Sequence, residues 1–290
     1  LPENALIIAN NSRVLQARLL GSRGTGGKVE FLLLTPLPLV MERARPDKRL
    51  GGTGGAEAFS AEAEGLVRCG GSVREGETFA FGAGISVTVL ESGPFGQRRV
   101  RLAWQGDLAK AFAATGHIPL PPYIKREPVP ADAERYQCIF AAKEGAVVAP
   151  AAGLHFSREL MKRMEIKGIE TGFLTVHSGL GNYREIDVED LTKHRMDSEE
   201  MEVTPELVDM VNKAKDDNKQ VCAVGTSVLR GIETAVSMGG HMKTFTGWTN
   251  KFIFPPYDFT VATSLVSNFH MPYSTMLMMV AAFGGYDLVM

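Results

Sequence analysis

Apolar residues change their spacing part-way along this chain. From about Asn10 to Thr115 they fall in short β-type runs, Val29 to Leu34, Phe79 to Phe81, Ile85 to Leu90 and Arg99 to Trp104, punctuated by glycine. Such runs predict a small β barrel. Gly51-Gly52-Thr53-Gly54-Gly55 reads as a linker within it and not as a phosphate cradle, because no Gly-Lys-Ser/Thr follows and no helix start is signalled. Gly116-His117-Ile118-Pro119-Leu120-Pro121-Pro122-Tyr123 cannot be helix or central strand, since its three prolines remove amide donors and hold the backbone extended. It reads as a crossing between domains.

Beyond that segment the pattern alternates between helix and strand. Ser157 is placed to cap an amphipathic helix running to about Ile166, with Gly168 as terminator and a strand from Ile169 to Val176. The signal repeats at Thr204-Pro205-Glu206, where cap, first-turn proline and acid precede a helix to about Asp216, then a strand from Gln220 to Val224. A further helix starts near Ser227. Met271 to Phe283 has the composition of a buried helix, with Ser274 and Thr275 available as caps. Alternation of this kind predicts an α/β domain with a mainly parallel sheet, whose ligands sit beyond the carboxyl ends of the strands. Two motifs fall at such ends, His177-Ser178-Gly179-Leu180-Gly181 and Gly225-Thr226-Ser227.

Composition narrows the setting. At 290 residues the chain can form one large domain or two, and two is the better expectation. No run of 18 apolar residues occurs, so no membrane span is expected. Cys69, Cys138 and Cys222 are odd in number, widely spaced and without a Cys-x-x-Cys pair, which argues for free thiols in the cytoplasm. A net charge of −2 gives no overall electrostatic footprint for nucleic acid. Any such partner must use a local patch, for example Arg13, Arg18, Arg23 and Lys28, or Lys125 and Arg126, or Lys193, His194 and Arg195.

The strand-to-helix turn Gly225-Thr226-Ser227 can aim backbone amides and two hydroxyls at an anion, with Arg230 one turn further on adding a charge; the plainer reading is an ordinary helix cap. Gly179-x-Gly181 is half of a dinucleotide fingerprint, but Arg184 stands where the third glycine belongs, so a dinucleotide site is rejected. His155, His177, His194 and His270 lie in the second half, near Asp197 and Glu199. No His-Glu-x-x-His or other tight ligand spacing occurs, and no metal site is expected. Imidazole serves acid or base chemistry near neutrality without a metal.

Taken in order, several segments resemble the S-adenosylmethionine:tRNA ribosyltransferase-isomerase family across nearly the whole chain. They are Asn10-Asn11-Ser12-Arg13-Val14 with Ala17-Arg18-Leu19, Gly116 to Tyr123, Arg135-Tyr136-Gln137, Gly145-Ala146-Val147, and Ala149 to Phe156. The series continues with His177 to Gly181, Met196 to Glu199, Ala223 to Ser227, Gly247-Trp248-Thr249, Phe252 to Pro255 and Ser267-Asn268-Phe269-His270. The resemblance implies a β-barrel domain, 10–115, inserted into an α/β catalytic domain formed by 1–9 and 116–290.

It also implies the chemistry. The ribosyl group of S-adenosylmethionine is transferred to 7-aminomethyl-7-deazaguanine at the tRNA wobble position and isomerised, giving epoxyqueuosine-tRNA while adenine and methionine leave. On this reading S-adenosylmethionine is a co-substrate and no cofactor is needed. The partners are that nucleotide and a tRNA with a queuosine-type anticodon, and the protein is expected as a monomer. The reaction asks for a base near the ribose 5′ carbon and an acid for departing adenine; His155 and His177 are placed in those roles, with Asp197 and Glu199 as alternatives or orienting partners. Gly225, Thr226, Ser227 and Arg230 are assigned to the methionine carboxylate, Asn268 and His270 to adenine, ribose or the modified base, and Arg13, Tyr123, Gly179 and Gly181 to further substrate contacts. Family members usually have Thr where Ala151 stands, a longer segment where Asn4 meets Ala5, and a further stretch beyond the position of Met290. Two other readings stand beside this one: a metal-dependent hydrolase using His155, His177 and His194, and a non-catalytic tRNA-binding relative.

Overall fold

The computed structural model describes residues 1–24, 26–47, 57–93 and 96–290, so the Gly51 to Gly55 stretch lies outside the described residues. The chain forms two compact units, Leu1–Arg13 with Gln137–Met290, and Val14–Tyr136.

The first unit begins with β1 (Leu6–Asn10), all five residues of which are buried. A strand with neighbours on both sides and packing on both faces must be apolar throughout, and Leu-Ile-Ile-Ala meets that demand. After β2 (Ser12–Val14) the chain enters the second unit.

That unit holds β3 (Arg18–Ser22), β4 (Lys28–Leu33), α1 (Leu37–Glu42), β5 (Arg45–Pro46), β6 (Ala58–Cys69), β7 (Thr78–Phe81), β8 (Ser86–Ser92), β9 (Gln97–Gln105), α2 (Leu108–Thr115) and α3 (Asp132–Arg135). Among the described residues, β4-β3-β7-β8-β9-β6 pair antiparallel in that order, and β4 also pairs β6, which closes a six-stranded barrel. Closure removes exposed edges. Val29, Phe31, Phe79, Val87, Val89, Val100 and Leu102 fill the interior. Gly65 makes room for one of them, since a Cβ there would lie 2.7 Å from Phe31 Cζ. The unit runs beyond Thr115 because His117 exchanges backbone hydrogen bonds of 2.7 and 3.1 Å with Arg18, which straps the proline segment onto β3.

The chain returns through β10 (Lys143–Ala146), a 3-10 turn at Ala151–His155, α4 (Arg158–Ile166), β11 (Glu170–Val176), β12 (Glu199–Val203) and α5 (Pro205–Asp216). It ends with β13 (Val221–Val224), α6 (Thr226–Thr234), β14 (Phe245–Thr249), β15 (Ser264–Val266), α7 (Thr275–Gly284) and α8 (Tyr286–Val289). The sheet order is β14-β12-β11-β1-β13-β15; β11, β1, β13 and β15 are mutually parallel, and β12 pairs antiparallel with β11 and β14.

Period-2 alternation splits β1 between two cores. Leu6 and Ile8 pack with Leu207 and Val211 of α5 and Val228, Leu229 and Ile232 of α6, whereas Ile7 and Ala9 pack with Phe156 and Met164 beside α4. Ser157, Thr204 and Ser274 each accept an amide hydrogen bond at the start of α4, α5 and α7. Each such cap contributes about 1 kcal/mol.

Candidate active site

The carboxyl ends of β11, β1 and β13 lie side by side, and the residues just beyond them gather polar groups that the apolar strands cannot supply. Asn10, at the last position of β1, is 1% exposed. Its side-chain amide donates to the Val176 carbonyl at 2.9 Å and to Ser227 Oγ at 3.4 Å, while its Oδ1 accepts from the Val176 and Ser12 amides, both at 3.0 Å. One side chain thus stitches β1, β11 and α6 together. An asparagine at the end of a buried apolar run was the signal for it, and sequence reasoning assigned it no role.

Arg230 and Glu199 form an ion pair beneath this edge, 0% and 4% exposed. Burial pushes the guanidinium down to about 10, which keeps it cationic at neutral pH. Glu199 also accepts a 2.9 Å hydrogen bond from the Gly179 amide, which pins the turn after β11. Glu199 sits opposite Thr249 on β14, and Thr249 Oγ1 lies 2.8 Å from Thr234 Oγ1 of α6. The charge expected to meet a ligand carboxylate is therefore turned inward. Arg230 braces α6 against β12.

Asp197 is likewise engaged, accepting from Arg184 at 2.8 Å, with Gly181 so close that a Cβ there would lie 2.7 Å from the Asp197 Cβ. Both carboxylates face arginines, an arrangement that holds the loops on either side of them in place.

His177 differs. Its ring lies over Gly145, and Nδ1 is buried without a hydrogen-bond partner among the described residues. Burial, reinforced by the Lys143 charge and only partly offset by Glu202, pulls its pKa down to about 4. At neutral pH it is an uncharged imidazole, the form that accepts a proton.

His155 is exposed at the end of the 3-10 turn whose Ala152 packs 3.7 Å from where a Gly225 Cβ would be. It therefore flanks the β13 end while His177 flanks the β11 end. β1 lies between those two strand ends. Gly225 turns the chain at φ 97°, and its amide bonds the Val266 carbonyl at 2.8 Å. Gly225 is the N-cap of α6, as the plainer reading of an ordinary cap with glycine for the tight turn expects; no side chain adds a capping hydrogen bond, and Thr226 and Ser227 are buried.

After β15, the segment carrying Asn268 and His270 crosses toward the loop that follows β11, where the Ile186 amide bonds the Tyr273 carbonyl at 2.9 Å. His270 Nε2 lies 2.8 Å from Ser267 Oγ, and burial lowers its pKa. Arg13 is exposed at the margin, 3.6 Å from Glu144. Tyr123 belongs to the barrel unit, where it is 58% exposed. His194 stacks on Phe252 at 4.9 Å, apart from the proton-transfer candidates. Among the described residues no three His, Cys, Asp or Glu side chains converge as a metal site would require, and no helix is long and apolar enough to cross a membrane.

These features define an α/β protein with a ligand site at a parallel carboxyl edge and a barrel inserted after its first strand. Residues 1–290 match the family described as "Queuosine biosynthesis protein". The chain is 54% identical to an S-adenosylmethionine:tRNA ribosyltransferase-isomerase of Parabacteroides distasonis, covering 98% of this chain and 78% of that protein. It is 44% identical to one of Nitratidesulfovibrio vulgaris, covering 100% and 78%. A solved S-adenosylmethionine tRNA ribosyltransferase of Thermotoga maritima is 26% identical over 100% of this chain and 75% of its own, with a TM-score of 0.44. The chain belongs to the queuosine biosynthesis protein family of S-adenosylmethionine:tRNA ribosyltransferase-isomerases.

Proposed function

We propose that this protein transfers the ribosyl moiety of S-adenosylmethionine to the amine of 7-aminomethyl-7-deazaguanine at the tRNA wobble position and isomerises it to epoxyqueuosine, releasing adenine and methionine. The observation that carries this reading, beyond family membership, is the neutral imidazole of His177 at the carboxyl edge, where a helix also starts at Gly225 without a side-chain capping hydrogen bond. The protons on the ribose 5′ carbon are acidified by the adjacent sulfonium, and His177 takes one of them. His155, on the far side of β1, donates a proton to departing adenine.

Asp197 and Glu199, each held by an arginine, orient the loops after β11. At the Gly225-Thr226-Ser227 turn, the Thr226 and Ser227 amides meet the methionine carboxylate without help from Arg230, the Gly225 amide being held by the Val266 carbonyl. Asn268 and His270 wall the nucleoside side, and Arg13, Gly179 and Gly181 line the margin. S-adenosylmethionine is consumed as a co-substrate and no resident cofactor enters. The free thiols fit a reducing cytoplasm.

The test is to incubate the protein with S-adenosylmethionine and tRNA bearing the aminomethyl base, following adenine release and the mass of the modified nucleoside. Adenine together with an epoxyqueuosine mass establishes the reaction. His177→Ala should then lower turnover by roughly 10²–10⁴-fold with tRNA binding retained. Loss of binding instead would move His177 to recognition, and full turnover would remove it from the mechanism.

A further inference from the structure

We propose that Gly145 is a positioning residue for His177: its bare Cα is the floor on which the imidazole lies, and no residue with a side chain can hold the ring there. The inference rests on the reading of His177 as the base and deepens it. A Cβ built on Gly145 would stand 2.8 Å from both Cε1 and Nδ1 of His177 and 3.0 Å from Nε2, closer than real Cβ contacts allow. The ring is therefore seated face-on over this one residue.

Neither backbone is free to retreat. On one side of Gly145 the Ala142 and Lys143 amides bond the Asn11 carbonyl at 2.8 and 3.1 Å; on the other the Val147 and Val148 amides bond the Ser178 carbonyl, both at 3.0 Å. His177 is itself tied by its amide to the Glu200 carbonyl at 2.9 Å. Gly145 also has φ +148°, which side-chain-bearing residues rarely adopt. An added methyl must then displace the ring by rotation, away from its place beside the ion pair of Lys143 on β10 with Glu202 on β12, the charged groups that act on it.

The experiment compares Gly145→Ala, His177→Ala and the double variant, by single-turnover rate, by thermal unfolding and by NMR titration of the His177 Cε1 proton. Gly145→Ala should slow turnover by about 10- to 100-fold, as expected of an ångström-scale misplacement, and should raise the His177 midpoint from about 4 toward its ordinary 6.5. The double variant should turn over no more slowly than His177→Ala alone, because the methyl then meets no ring and the rate losses do not add, while it gives up only the stability that a φ of +148° costs any side chain. Additive rate losses, or an unmoved midpoint in a slowed Gly145→Ala enzyme, would overturn the proposal. If Gly145→Ala does not fold, the double variant decides: folding like His177→Ala supports the contact, and failure to fold assigns the glycine to backbone strain. Full turnover in His177→Ala would end the reading of this histidine as the base, while the NMR midpoint would still show whether Gly145 seats its ring.

Discussion

Replacing Glu199 by Gln removes one charge from the buried pair while leaving an oxygen to accept from the Gly179 amide. Arg230 is then a cation with 0% exposure and no anion beside it. Breaking a buried pair from one side costs about 3–5 kcal/mol, because the remaining charge keeps its desolvation penalty and loses its compensation. Against the roughly 5–15 kcal/mol of a typical domain, this is a large share of the total. With urea slopes of about 1–3 kcal/mol/M, the unfolding midpoint should fall by at least about 1 M.

The chain's two tryptophans fall one in each unit, Trp104 in the barrel and Trp248 on β14 beside β12, so Trp248 fluorescence in a Trp104→Phe background follows the unit that carries the pair. The paired change Glu199→Leu with Arg230→Met should recover most of the loss, since apolar replacements of similar volume leave no orphaned charge. A midpoint shift below about 0.3 M for Glu199→Gln, with an unchanged slope, would refute the reasoning and show that Arg230 is not dependent on Glu199.

His177 makes stability depend on pH in a defined window. Its folded pKa, about 4, lies below the ordinary 6.5, so the unfolded chain binds the proton more readily; the associated stability is complete above pH 6.5 and lost as pH falls toward 4, by roughly 2–3 kcal/mol. Urea midpoints at pH 7.5 and 4.5 should differ less in His177→Gln than in the parent, and equal differences would count against the burial argument. In the barrel, Gly65→Ala forces a methyl toward Phe31 and the Leu32 carbonyl, 2.7 and 2.8 Å away, and should cost about 1–3 kcal/mol by the same denaturation assay. Binding of the substrate tRNA should weaken with salt by a log slope of about 0.7–0.9 for each phosphate neutralised, and a flat salt dependence would remove phosphate contacts from the account.

The α/β half of the molecule was legible because its helices announce their ends. Ser157, Gly168, Thr204 and Ser274 act where local capping chemistry places them, and β13 among the strands between carries a continuous apolar run, Val-Cys-Ala-Val. The barrel was legible in kind but not in full. Its longest strand, β6, begins Ala-Phe-Ser-Ala-Glu-Ala-Glu, a composition that favours helix; only the alternation of buried Ala61 and Ala63 with exposed Glu62 and Glu64 betrays the strand.

At the candidate site, the motif positions of His177, Glu199 and Gly225 pointed to one edge of the sheet, while the partnerships did not show. That Arg230 turns inward to Glu199 follows from packing between α6 and β12, elements remote in sequence. Asn10 and Gly145 were visible only as parts of motifs, since their roles depend on partners brought close by the fold, Val176 for Asn10 and His177 for Gly145.

The insertion of the barrel after the first strand also sets a schedule for the growing chain. Strand β1 emerges from the ribosome before the barrel, yet its two partners, Glu170–Val176 and Val221–Val224, are made only after the whole barrel. At translation speeds of about 5–20 residues per second, the apolar run at Leu6–Asn10 spends on the order of ten seconds or more without the strands that will flank it, while the barrel already has all of its own strands. The most water-averse strand of the α/β sheet is thus the one that waits longest. Nascent-chain chaperones would find a persistent target in Leu6–Asn10.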